Sequence, residues 1–170
     1  MVTPAPGAAR WRASGWDHLV ILGWLAVLTV LGLVVRSLLP DPGPVPPIAA
    51  DAVAFVLSVL PVWAYLTVTE SGRRQATLGK RRAGLAVADR DGGRAGAGRV
   101  AVRNAVKLLP WQLAHVSVAR VIAGVDAPVT VAVTYALSLL IPAVSIGIAW
   151  RDPAHRALHD LVAGTRVVRT

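Results

Sequence analysis

The chain alternates between long uncharged runs and shorter segments crowded with arginine. From Leu19 to Val35, seventeen residues (LVILGWLAVLTVLGLVV) pass without a charge. At about 1.5 Å per residue, that run and its flanks span a hydrocarbon core of roughly 30 Å. It is too long for a signal peptide and no small-residue cleavage site follows, so a retained crossing is expected. The proline-rich linker PDPGPVPP (40–47) then breaks the helix, because proline lacks an amide N–H and clashes with the preceding turn. A second uncharged run extends from Ala52 to Thr69, and a third, of 24 residues, from Ala127 to Trp150, with Pro142 as an expected kink.

A fourth segment, Ala105 to Gly124, carries Lys107, Pro110, His115 and Arg120. Hydropathy alone would let it lie along the interface as an amphipathic helix. Charge asymmetry favours a crossing. With three crossings the 18 Lys and Arg divide thirteen to five between the two sides; with four they divide sixteen to two, leaving only Arg36 and Arg120 outside. Positive residues accumulate on the cytoplasmic side. The expected architecture is therefore an all-α membrane protein: one domain over residues 1–170, a four-helix transmembrane bundle with a small cytoplasmic β element. The crossings are expected near 17–38, 50–70, 105–124 and 127–150, with a cytoplasmic insert at 71–104 and a C-terminal surface segment at 151–170. Both termini would be cytoplasmic. Trp11, Trp16, Trp111 and Trp150 then fall near the membrane boundaries, where indoles favour headgroup depth.

Composition narrows the function classes. There is no cysteine, which excludes thiolate chemistry and disulfides, and the hydrophobic fraction is 55% with a net charge of +9. In a soluble protein such charge would suggest nucleic acid. Beside these apolar runs it points to the lipid bilayer and to anionic lipid at the cytoplasmic face, with no nucleic-acid partner. No cofactor motif is present.

Within the insert, GLAVAD (84–89) reads as a short strand and RDGG as a turn. GTRVVRT (164–170) reads as another strand, and the two are expected to pair, since neither buries anything alone. TLGKRR (77–82), with Lys80, lacks the Ser or Thr of a phosphate-binding loop and reads as a solvated basic loop beside lipid.

Charges near or within the apolar runs are the candidate chemistry. Asp17 lies just before Leu19, where an ionised carboxylate needs water or a cation. Arg10, Arg12, Arg103, Lys107 and Arg156 are the cations within reach of the same surface. Three readings stand open for Asp17: an interfacial helix cap, a buried ion-pair network, and proton or cation coupling. His115 near mid-membrane is expected to be a neutral histidine bonded to a carbonyl, with proton carriage as the sharper reading. His155 and His159 have helical metal-ligand spacing, but no third ligand lies nearby and HRALH lacks the glutamate of HExxH, so no metal site is expected. HRALHDLVA is expected to form a short surface helix. No nucleophile–base pair is evident, and the expectation is that the chain is not an enzyme.

Four tracts in order resemble one family. They are Arg10 followed by Asp17, TLGKR after the second run, Arg103-Asn104 before the third helix, and the closing LHDLVAGTRVV. Together they resemble the RDD family, small bacterial polytopic membrane proteins named for one arginine and two aspartates. The matching residues are Arg10, with Arg12 as the alternative, and Asp17 and Asp160. The lead into Asp17, ASGWDH, is less apolar than the family's usual alanine-rich sequence. The resemblance implies a bacterial cytoplasmic (inner) membrane protein and little defined biochemistry. Transport of an unidentified ligand, or cation/proton exchange, is suggested for the family. His159 and His115 would be proton partners on that reading, and a homo-oligomer would supply a pathway between protomers. The rival is a non-transporting scaffold or accessory subunit.

Overall fold

The computed structural model describes residues 5–40, 43 and 45–170. Part of the proline-rich linker, at 41, 42 and 44, lies outside them. Each uncharged run is helical; the first two helices are longer than their runs, and the third matches its run in length. Helix α1 spans Gly7–Leu38, starting ten residues before the expected crossing because GAARWRASG is itself helical. Helix α2 spans Pro47–Ser71 and opens with Pro47, where the missing N–H costs nothing. The short α3 is Leu78–Arg82, α4 is Ala97–Ile122, α5 is Pro128–Arg151 and α6 is Leu158–Ala163.

One turn of α2, Phe55–Val59, is π-helical, with the Leu60 N–H reaching the Phe55 carbonyl. Pro61 explains part of this local irregularity. It has no N–H for the carbonyl of Leu57, four residues earlier. The indole Nε1 of Trp24 on α1 donates to that carbonyl instead, at 3.0 Å.

The two expected strands pair. β1 (Leu85–Asp89) runs antiparallel to β2 (Thr165–Arg169), with Val87 opposite Val167. The sheet covers small buried clusters built on Leu85, Val87, Ala95, Val100 and Val167. Gly164, at φ 65°, supplies the left-handed turn from α6 into β2.

Helix α4 is the hub. It packs against α2 on one side and α5 on the other, while α1 meets α2 at the π-helical turn and otherwise rests on α3 and β1. The α2–α4 contact holds the main apolar core, Val59, Val62, Leu66 and Leu108, flanked by Trp63 and Trp111. Helices α4 and α5 are antiparallel. Near their connection Ser117 Oγ lies 2.5 Å from Thr134 Oγ1. At the opposite end, α6 returns the chain from α5 to Arg103 of α4.

Three helices, α1, α2 and α5, are long and apolar enough to cross a membrane. The apolar stretch of α1 is 0% buried and that of α5 only 6%. Surfaces this apolar and this open suit hydrocarbon as solvent. α4 falls outside that group, since it carries Arg103, Lys107, His115 and Arg120.

Candidate functional site

One end of the molecule gathers buried charge from five elements. Asp17, on α1, is 3% exposed. Its Oδ1 accepts from the Gly79 N–H at 2.8 Å and its Oδ2 from the Thr77 hydroxyl at 2.6 Å. Thr77 also caps α3, accepting from the Lys80 N–H. The Lys80 ammonium lies 3.8 Å from Asp17 and 2.7 Å from Oε1 of Glu70.

Glu70, at the end of α2, is wholly buried. Its Oε2 accepts from Arg103 Nη1 at 2.7 Å and from Asn104 Nδ2 at 3.2 Å. Arg103 turns its Nε to Asp160 Oδ1 at 2.9 Å, an oxygen that the Thr165 hydroxyl also reaches, at 3.1 Å. Arg10 closes the series. Its Nη2 stands 4.0 Å from Asp160 Oδ2, and its Nη1 donates to the His155 carbonyl. Asp17, Lys80, Glu70, Arg103, Asp160 and Arg10 thus alternate in sign and form a ring that starts and ends on α1.

Local sequence explains the ring. Arg10 and Asp17 are seven apart, nearly two helical turns, and so share a face. Arg12 lies on another face and is exposed. Of the two candidate arginines, Arg10 joins the ring and Arg12 stays outside it. Gly79 allows α3 to touch α1: a Cβ there would stand 2.1 Å from the Ala13 carbonyl and 2.8 Å from Asp17 Oδ1. The reading of TLGKRR as a solvated loop is corrected at Lys80, which is 7% exposed. Arg81 and Arg82 do face outward, and Arg82 stacks over Trp16 at 4.1 Å.

Arg156 is also corrected. It pairs with Asp152, four residues earlier, at 2.7 Å and stays outside the ring. The expected helix HRALHDLVA begins only at Leu158, because Asp152 captures the N–H groups of Ala154 and Arg156 in a turn. His155 takes a left-handed φ of 53° there, so the two histidines do not share a helical face. His115 is stacked on Trp111, with ring centroids 5.9 Å apart, and its Nδ1 has no partner among the described residues. The expected carbonyl bond is not formed.

Burial alone would push the Asp160 carboxyl up, but the charge of Arg103 holds it at about 2. His159 is pushed the other way from its ordinary value, down to about 3, by burial and then by Arg103. Its Nε2 lies 3.5 Å from Arg103 Nη2 and 3.6 Å from Asp160 Oδ2. The imidazole is neutral at physiological pH. No group of three His, Asp or Glu side chains is placed to hold a metal among the described residues.

The RDD family model matches residues 8–164, a span that contains Arg10, Asp17 and Asp160. The chain belongs to the RDD family. No curated protein and no solved structure matched in the other comparisons. For this RDD chain the geometry joins Arg10 to Asp160 and gives Asp17 to the TLGKR tract.

Sequence reasoning missed Glu70, the hinge between the two halves of the ring. A signal was present: it is the chain's single glutamate, and it ends the second uncharged run. Thr77 and Thr165, which complete the carboxylate shells, carried no such mark.

Proposed function

We propose that the ring is a structural clasp at the cytoplasmic end of a four-crossing membrane protein, and that the chain is a non-transporting scaffold or accessory subunit. The observation that carries this reading is Glu70, buried and filled by three donors from α3 and α4. Asp17 and Asp160 are satisfied in the same way, so no carboxylate of the ring stands free to exchange an ion. α4 serves as the fourth crossing, since it lies antiparallel along α5, and Arg120 at its far end meets Asp51 of α2 at 2.9 Å. On this reading the ring, the sheet and the two ends of the chain share one face, taken as the cytoplasmic face of a bacterial inner membrane. A second copy of the chain or lipid covers the open face of α1.

Two measurements test this reading. Purified protein in proteoliposomes is expected to show no cation/proton exchange, and Asp17→Asn to lower folded yield. Single cysteines at positions 43 and 126 should label from one side, and at 91 and 170 from the other. Labelling of 170 together with 43 would remove the fourth crossing.

A transport or ion-coupling role remains the second reading, favoured by α4 alone. Gln112 Oε1 and His115 Nδ1 are buried without partners on that helix among the described residues. Exchange by the wild type that Asp17→Asn abolishes, at unchanged thermal stability, would establish it over the clasp.

A further inference from the structure

A cavity of about 360 Å³ opens between the start of α1 and the end of α5, directly over the ring. That volume lies within the range of small-ligand pockets, roughly 300–1,000 Å³. Its floor carries Arg10, Lys80, Arg103 and Lys107 together with Asp17 and Asp160. Counting Glu70 behind them, four cations face three carboxylates. Lys80 and Arg103 are each shared between two carboxylates, and Arg10 has Asp160. Lys107 has neither a hydrogen bond nor an ion pair among the described residues. Arg10 adds a buried Nε and Nη2 without hydrogen-bond acceptors among the described residues.

Lys107 is half-buried, and an ammonium left unpaired at the edge of a membrane is costly unless water or an anion meets it. The surplus here is one positive charge, which one phosphodiester would neutralise. The upper wall has a different chemistry. Trp11, Ile146 and Trp150 line the cavity and are 68%, 42% and 79% exposed. Two indoles at the rim of a cationic pocket, at the end of membrane helices, mark headgroup depth. A ligand that fits both surfaces has an anionic head and an apolar tail.

We propose that this cavity binds the phosphate of an anionic phospholipid from the adjoining leaflet, with Lys107 as its principal cation. The proposal rests on the cytoplasmic placement of the ring given above and adds a bound partner to it. The bound headgroup sits where α1, α4 and α5 converge, so lipid and clasp support one another.

The test uses full-length protein in a neutral detergent, titrated with short-chain phosphatidylglycerol, phosphatidylcholine or inorganic phosphate, and read by native mass spectrometry and thermal shift. One phosphatidylglycerol per chain is expected to bind at least tenfold more tightly than phosphatidylcholine. Lys107→Gln should lose that preference, whereas Lys107→Arg and the outward Arg82→Gln should keep it. Lys107→Gln should also fold, because it removes an unpaired charge and breaks no bond. Equal binding of the two lipids, or an unchanged preference in Lys107→Gln, would overturn the proposal. Inorganic phosphate that displaces phosphatidylglycerol at equal concentration would overturn the lipid as the source and leave a soluble-phosphate site. Should Lys107→Gln fail to fold, the wild-type thermal shift decides: more stabilisation by phosphatidylglycerol than by phosphatidylcholine supports the site, and equal stabilisation sinks it. Loss of lipid preference with intact thermal stability leaves the clasp standing, so the two readings fail separately.

Discussion

Arg103 and Glu70 meet at 2.7 Å with neither side chain open to solvent, and this contact joins α2 to α4 where the ring changes direction. A buried pair of this kind need not add much net stability over an apolar pair, since both charges lose their hydration. Breaking it from one side is another matter. Glu70→Gln would leave Arg103 and Lys80 short of a counter-charge, at a cost of about 3–5 kcal/mol. The expected outcome is a large fall in folded yield and thermal midpoint. A midpoint within a degree or two of wild type would show that the ring does not hold the fold together.

Gly79 gives a steric prediction. Gly79→Ala sets a methyl group against the Ala13 carbonyl, so α3 must lift from α1 and Asp17 loses its backbone donor. Overpacking of this sort costs about 1–3 kcal/mol, and the lost hydrogen bond adds to it. Thermal unfolding of Gly79→Ala beside Gly96→Ala, whose Cβ would meet open space, separates contact from backbone propensity.

Acid should loosen the clasp in two stages. The folded His159 is held at about 3, against an ordinary 6.5. The unfolded chain therefore binds the extra proton between those values, and stability falls as pH drops below about 6.5, by up to about 1.4 kcal/mol per unit. Asp160 is held at about 2 against 3.8, so its contribution is lost only between those two values. His159→Gln is expected to flatten the upper stage and leave the lower one. Thermal midpoints of both proteins from about pH 7 down to about pH 2 check this.

Trp24 offers a test inside the apolar region. Trp24→Phe keeps most of the ring but strips the donor from the Leu57 carbonyl. The cost expected is about 1–2 kcal/mol, as for other interhelical hydrogen bonds in a membrane. Trp150→Phe, at a site 79% exposed, should be close to neutral. Matching losses in the two variants would mean that the indole bond contributes nothing.

How much of this was legible beforehand depended on distance along the chain. The apolar runs and the two strands are local patterns with their own periodicity, and both formed where expected. The family motifs singled out Arg10, Asp17 and Asp160, and all three lie in the ring. Lys80 was misread because its neighbours Arg81 and Arg82 do face solvent, and composition cannot tell the buried cation of a basic tract from the exposed ones. The choice between Arg10 and Arg12 needed the helix to begin at Gly7, since two residues turn the side chain by about 200°. Glu70 draws on donors 10, 33 and 34 residues away. No window short enough to show periodicity could reveal that convergence.

The pairing of β1 with β2 has a consequence for the order of assembly. In chain order β2 and Asp160 follow every long helix, yet they complete a ring whose first members, Arg10 and Asp17, lie on α1. Until α6 and β2 arrive, Arg103 has Glu70 alone and Arg10 has no carboxylate among the described residues. A chain cut short after α5 would place its helices in the bilayer and still present unmatched arginines at one face. The arrival of α6 and β2 thus separates a merely inserted polypeptide from one whose ring is closed.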